Sequence, residues 1–285
     1  MSLEPPVISP ETLAEAYALL AAAAYRPLAG GTDLMVQLAA EVGEIPAHVM
    51  NLLRLDEMRG IALDESGALI LGALTTYAEI RRSALARARL PALVQAAATI
   101  GAAQIQNRGT IGGNAMNASP AGDTLPVLLA TDAELVLGSA AGDRTVAATQ
   151  FWPAYRATVR RPDELLVRIR IPLPPRRVVC FRKVGTRRAQ AISKLVMALA
   201  YREDGGVWRD VRLALGSVAA TPIRAARTEA VLEGSAPRET VADHAAATLT
   251  AELQPIDDVR STADYRRAVA SRILHRMLRD EGGWS

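Results

Sequence analysis

Two stretches of the 285-residue chain carry residue types that suit anion binding. The first reads Pro27-Leu28-Ala29-Gly30-Gly31-Thr32-Asp33-Leu34. Adjacent glycines between an extended segment and a helix start let a ligand come close to the backbone, because no Cβ stands in the way. The first helical turn leaves N–H groups without intrahelical partners, and the helix dipole favours negative charge there. Thr32 adds a hydroxyl donor. The same residues also suit a tight turn in which Asp33 completes a cap.

The second stretch reads Thr110-Ile111-Gly112-Gly113-Asn114 and continues through Asn117-Ala118-Ser119-Pro120-Ala121-Gly122-Asp123. Thr110, Asn114 and Ser119 bring donors and acceptors to permissive backbone. Asp123 has no basic neighbour in sequence, so its carboxylate is a candidate acceptor for a ribose hydroxyl or an adenine amino group. An irregular loop held by its own side-chain hydrogen bonds is the alternative. Two such stretches in one chain point to the diphosphate of a nucleotide cofactor. Neither is a GxGxxG fingerprint and no Walker pattern occurs, which argues against a Rossmann nicotinamide site and a P-loop nucleotidase.

Other chemistries find little support. His48, His244 and His275 are far apart and match no zinc-binding spacing. No Ser-His-Asp arrangement can be assembled. Cys180 is the sole cysteine, so an internal disulfide, a Cys-ligated iron–sulfur cluster and a Cys-based structural zinc site are excluded, and a small buried hydrophobe is expected there. The net charge is only +3, and the arginines are interspersed with acids rather than gathered into a block, which argues against nucleic-acid binding. Ala16–Ala24 is too short to span a membrane and lacks a charged leader, so a cytoplasmic protein is expected.

The elements that position these residues follow from pattern. Ser9-Pro10 reads as a helix start before Leu13, Ala16, Tyr17 and Leu20. Extended Arg26–Leu28, a helix from about Thr32 and a strand at Val49–Leu52 make a βαβ-like opening with a small parallel sheet. Ile61–Leu63 and Leu69–Leu71 flank Asp64-Glu65-Ser66-Gly67 as a hairpin. Thr75 suits the cap of a short helix, and Pro91 opens another reaching about Ile100. Leu125–Ala130 reads as a helix, and Leu135–Leu137 and Leu165–Ile171 as strands. Pro172, Pro174 and Pro175 mark a domain boundary. Beyond it, Val178–Val184, Ile192–Tyr201 and Val207–Leu215 read as strands, with helices near Arg227–Leu232, Thr240–Glu252 and Ala263–Leu278.

The ordered set of Leu28–Leu34, Thr110–Asn114 and Ala118–Asp123 resembles the FAD-binding medium subunit of the molybdenum hydroxylases, the xanthine dehydrogenase and aerobic carbon monoxide dehydrogenase family. The resemblance continues through Phe181-Arg182-Lys183-Val184-Gly185, Arg187-Arg188-Ala189 and Thr221-Pro222-Ile223-Arg224-Ala225. It implies an α+β fold: a two-lobed FAD-binding domain of the vanillyl-alcohol-oxidase-like (PCMH) kind over 1–175, with lobes of about 1–57 and 58–175. A C-terminal domain of a small antiparallel sheet with helices would span 176–285.

By the same resemblance, amides of Ala29–Leu34 and Thr110–Asn114 cradle the FAD pyrophosphate, with Pro27, Leu28 and Ser119 alongside. Asp123 meets the adenosine half, Ile100 and Leu166 pack near the rings, and Lys183, one of only two lysines, approaches the cofactor. The molybdopterin sits on a large partner subunit and the [2Fe–2S] clusters on a small one. FAD passes electrons to NAD or another acceptor, so no catalytic residue is expected in this chain. The run Ala191-Ile192-Ser193-Lys194-Leu195 departs from the resemblance, with Ser-Lys where relatives carry apolar residues. A stand-alone flavin oxidoreductase acting on a small substrate, and a scaffold that has lost its flavin, are the competing readings.

Overall fold

The computed structural model describes residues 5–40, 45–187 and 190–283. The opening segment forms β1 (Val7–Ile8), α1 (Leu13–Ala22), β2 (Arg26–Leu28), α2 (Leu34–Ala39) and β3 (Val49–Asn51). Its strands pair in parallel in the order β1-β3-β2, as the βαβ-like pattern predicts. The start of α1 falls later than Ser9-Pro10 suggests. Thr12 is the cap, accepting from the Glu15 amide, while the Ser9 hydroxyl accepts from the Asn51 side chain on β3. Ala16 and Leu20 bury the inner face of α1, as their helical spacing requires.

A second, larger unit follows. It contains β4 (Ile61–Leu63), β5 (Leu69–Gly72), α3 (Tyr77–Arg82), α4 (Ala84–Arg89), α5 (Pro91–Ala98), α6 (Ala103–Arg108), α7 (Ile111–Asn117), α8 (Leu125–Ala130), β6 (Glu134–Ser139), β7 (Gly142–Ala147), α9 (Ala148–Phe151) and β8 (Leu165–Ile171). The strands form an antiparallel sheet in the order β4-β5-β8-β6-β7. The β4–β5 hairpin closes on Asp64, whose carboxylate accepts from Ser66 and from the Ala68 amide. The cap of α3 is Thr76 rather than Thr75. Thr76 and Glu79 form a reciprocal capping box, while the buried Thr75 hydroxyl donates to the Gly60 carbonyl. The edge strand β7 carries mostly exposed polar residues, so it shows no apolar pattern to read.

The C-terminal part comprises β9 (Arg177–Val184), β10 (Leu195–Asp204), β11 (Val207–Gly216), β12 (Ile223–Arg224), α10 (Ala226–Leu232), α11 (Glu239–Glu252) and α12 (Ala263–Gly282). The strands form an antiparallel sheet in the order β12-β11-β10-β9. Strand β10 starts at Leu195 rather than Ile192: Ile192 is exposed, and Ser193 is drawn off the strand path by Asp123. Val196, Ala198 and Ala200 join the core of the preceding residues, whereas Leu195, Met197, Leu199 and Tyr201 join a second core beneath α10, α11 and α12. A strand covered on both faces has no polar alternation, which explains the continuous apolar run Leu195–Tyr201. Cys180 is buried, and burial pushes its thiol up, which fits the expected inert hydrophobe.

Helix α8 is buried along its whole length. At its far end Asp132 accepts from Arg177, Arg212 and Arg224 at 3.2, 3.2 and 3.1 Å, all contributed by the C-terminal sheet. Arg177 is almost fully buried, and its other acid, Asp210, lies 3.9 Å away. Asp132 also sits at φ 51°, a left-handed position that Asn tolerates. Asp132→Asn therefore removes the charge without straining the backbone. The expected cost is about 2 kcal/mol, below the figure for a fully buried pair because Asp132 is partly exposed. Denaturant unfolding of the variant and its parent measures it.

Candidate cofactor site

The first glycine turn leaves β2 and enters α2. Gly31 has φ +77°, a left-handed conformation that a side chain rarely adopts, which fixes a glycine there. Among the described residues, the amides of Gly30, Gly31, Thr32, Asp33 and Leu34 have no hydrogen-bond acceptor. Asp33 stands at the helix cap but makes no cap bond. Its carboxylate instead accepts from the Asn117 side chain at 2.9 Å. That bond ties the first turn to the second across the chain.

The second glycine pair is not in a loop. Thr110 caps α7, and Gly112 and Gly113 lie in its first turn. The amides of this stretch are engaged within the protein, which corrects the expectation of free donors from Ile111 to Asn114. Ile111 donates to Thr75, Gly112 to Ala73, Gly113 to the Thr110 hydroxyl, and Asn114 to the Thr110 carbonyl, at 2.9–3.0 Å. Gly112 serves close packing: a Cβ there would lie 2.6 Å from the Ala73 Cβ and carbonyl oxygen. Gly30 does the same for the other turn, since its Cβ would lie 1.8 Å from the Arg108 carbonyl oxygen. At both positions the missing Cβ makes room for protein rather than for ligand.

Between the turns lies an open cleft with about 980 Å³ of atom-free space, open solvent included. The whole stretch Pro27–Leu34 lines it, with Thr110, Gly112, Gly113 and Asn114 opposite and Leu166 on another wall. Ile111 is fully buried behind the wall. Ile100, Ser119, Asp123 and Lys183 do not line this cleft. Ser119 accepts from the Ala121 amide in its own turn.

Asp123 and Lys183 instead meet each other. Lys183 Nζ donates to Asp123 at 2.6 Å and to the Thr99 carbonyl, next to Ile100, at 3.0 Å. The Ser193 hydroxyl donates to the other carboxylate oxygen. Asp123 therefore has the basic partner that its sequence neighbourhood lacks, and Ser193 in the departing Ser-Lys run acquires a role. The Lys194 ammonium lies 4.7 Å from the centre of the Tyr265 ring, a cation–π arrangement. Arg188 and Ala189 of the sequence motif lie outside the described residues.

Sequence reasoning missed several neighbours of the site. Arg26, Tyr77 and Arg160 line the cleft, and Tyr77 is buried with its phenol pushed up by that burial. None belongs to a motif; an arginine in a chain with so many arginines gives no signal. Among the described residues no cluster of His, Cys, Asp or Glu is arranged to hold a metal. No helix among them is long and apolar enough to cross a membrane.

A cleft lined by unpaired amides suits the diphosphate of a nucleotide cofactor, and comparison with known proteins gives the chain a family. Residues 2–174 match the model of the FAD binding domain in molybdopterin dehydrogenase, and residues 180–280 match that of the CO dehydrogenase flavoprotein C-terminal domain. The chain is 32% identical to the glyceraldehyde dehydrogenase medium chain of Sulfolobus acidocaldarius, over 90% of each. It is 30% identical to the xanthine dehydrogenase FAD-binding subunit of Escherichia coli O157:H7, over 95% of each. A chain in the solved structure of carbon monoxide dehydrogenase from Hydrogenophaga pseudoflava, a form lacking the Mo-pyranopterin moiety of its cofactor, superposes with a TM-score of 0.91 at 32% identity. That match covers 96% of this chain and 95% of the other. The chain belongs to the FAD-binding medium subunits of the molybdenum hydroxylases, the oxidoreductase family that includes carbon monoxide and xanthine dehydrogenases.

Gly30→Ala should collapse this geometry, because the added methyl must displace main chain at Arg108 rather than a flexible side chain. Overpacking of this kind costs about 1–3 kcal/mol or more. A lowered thermal midpoint together with lost flavin absorbance is the expected result.

Proposed function

We propose that the chain is the electron-transfer subunit of a multi-subunit molybdenum hydroxylase. In this reading it takes electrons from [2Fe–2S] clusters on a small partner subunit. It delivers them through FAD to NAD or another acceptor, while a molybdopterin-binding large subunit carries out the hydroxylation. The observation that carries the reading is the row of unpaired amides from Gly30 to Leu34 along the cleft. Buried or half-buried amides without acceptors favour a ligand rich in anionic oxygens. When bound, the flavin supplies the redox chemistry; the protein's part is to hold, orient and tune it.

The residues divide accordingly. Pro27, Leu28, Ala29, Gly30, Gly31, Thr32, Asp33 and Leu34 hold the diphosphate from one side. Thr110, Ile111, Gly112, Gly113 and Asn114 shape the opposite wall, with Asn114 presenting a side-chain amide whose oxygen already accepts from Thr124. Leu166 gives an apolar surface for a ring. Ile100, Ser119, Asp123 and Lys183, outside this cleft's lining, serve the adenosine and ring parts of the cofactor in this reading, and the Asp123–Lys183 pair also fixes the C-terminal sheet against the turn that ends at Thr99 and Ile100. A domain boundary near 175, with the FAD-binding domain before it and the sheet-plus-helices domain after it, is supported by the two family matches meeting between 174 and 180. The expected location is the cytoplasm.

The full chain purified with its partner subunits should show a flavin absorbance band, and acid release should yield FAD rather than FMN. Reduction of the complex by its substrate should bleach that band only when the iron–sulfur subunit is present. A complex free of flavin, or turnover of a small substrate by the isolated chain, would overturn the reading.

A further inference from the structure

Arg26 and Arg160 line the cleft together, from β2 and from the segment before β8. No carboxylate neutralises either side chain by a hydrogen bond among the described residues. Arg160 Nη1 donates instead to the main-chain carbonyls of Arg161, Pro162 and Glu164, at 2.8, 3.1 and 2.7 Å. Three carbonyls on one nitrogen fix the guanidinium plane before any ligand arrives. The nearby Glu164 carboxylate is committed to Arg144, whose Nε and Nη2 reach it at 2.5 and 2.9 Å. Arg26 makes no side-chain hydrogen bond to a described residue. Burial and then the charge of Arg26 lower the Arg160 pKa, and the nearby Glu164 and Asp163 carboxylates offset this only in part, so the two cations stand close enough to oppose each other. The one lining carboxylate among the described residues, Asp33, accepts from the neutral Asn117 amide and keeps its charge. Two guanidiniums against one carboxylate leave the charged lining of the cleft net positive.

We propose that Arg26 and the pre-positioned Arg160 form a cationic lining that supplies countercharge to the diphosphate of the bound dinucleotide, together with the free amides of the Gly30–Leu34 turn. The inference rests on the FAD-binding reading above and assigns to two arginines outside the glycine motifs much of the affinity for the charged part of the cofactor. A guanidinium held by carbonyls loses little freedom on meeting phosphate oxygens, and its planar fork suits them. Arg26, on the strand that feeds the glycine turn, has no side-chain hydrogen bond among the described residues and so keeps its donors for the ligand.

FAD affinity of the flavin-stripped full chain, followed by flavin fluorescence quenching over a range of NaCl concentrations, tests this. Arg160→Met and Arg26→Met should each weaken binding by about tenfold to a hundredfold, the range for one charge-assisted hydrogen bond. Both should flatten the salt dependence, while Arg160→Lys and Arg26→Lys should keep most of it. Arg160→Met releases three main-chain carbonyls, so Arg26→Met, which breaks no side-chain hydrogen bond to a described residue, is the decisive variant; its flavin-free thermal midpoint should match the parent's. Unchanged affinity in Arg26→Met, or weaker binding with the parent's salt dependence, overturns the proposal alone. A parent chain that binds no FAD overturns both the proposal and the functional reading beneath it.

Discussion

The site depends on one steric constraint: the main chain at Gly30 lies directly against the carbonyl of Arg108. Any side chain at Gly30 would separate the parallel-sheet lobe from the segment that leads into α7. Gly112 against Ala73 applies the same constraint on the other side of the cleft. Together they bring the β2–α2 turn and the start of α7, far apart in sequence, to the sides of one cleft. The Asp33–Asn117 hydrogen bond then spans the gap.

Within that frame the two glycine turns have different tasks. The first leaves its amides unpaired and so keeps its hydrogen-bonding capacity for a ligand. The second spends its amides on Thr75, Ala73 and its own cap, and so gives a rigid wall. Similar sequences thus produce one binding surface and one buttress. The difference lies in whether the turn meets solvent or packed backbone, since a buried amide must find a partner.

Helix α8 carries the same logic into the C-terminal sheet. Asp123 precedes it and Asp132 follows it, and each is clasped by cations from that sheet: Lys183 at one end, Arg177, Arg212 and Arg224 at the other. The helix itself offers only apolar surface, which packs without fixing rotation or slide. The paired charges at its two ends supply direction, because hydrogen-bonded ion pairs have a geometry that aliphatic contacts lack. The arginines at the far end also lie where the helix dipole favours positive charge.

The sequence by itself determined many of the elements and the first glycine turn, but not α4, α6, β7 or the helix α7 that holds the second glycine pair. Periodicity gave the parallel opening unit, the β4–β5 hairpin, the helices from Pro91 and Leu125, and the sheet-then-helices order of the C-terminal part. Those signals are local: an apolar spacing or a turn residue is read within a few positions. Caps were less legible, as Ser9 and Thr75 illustrate, because a hydroxyl can serve any nearby amide or carbonyl and its choice is made by packing. Tertiary structure alone decided which amides stay free, that Asp123 is paired with Lys183 and Ser193, and that Arg26 and Arg160 both line the cleft. Each of these joins residues distant in the chain, and the free energy of such a contact depends on burial and on competing partners, neither of which is written in the local sequence.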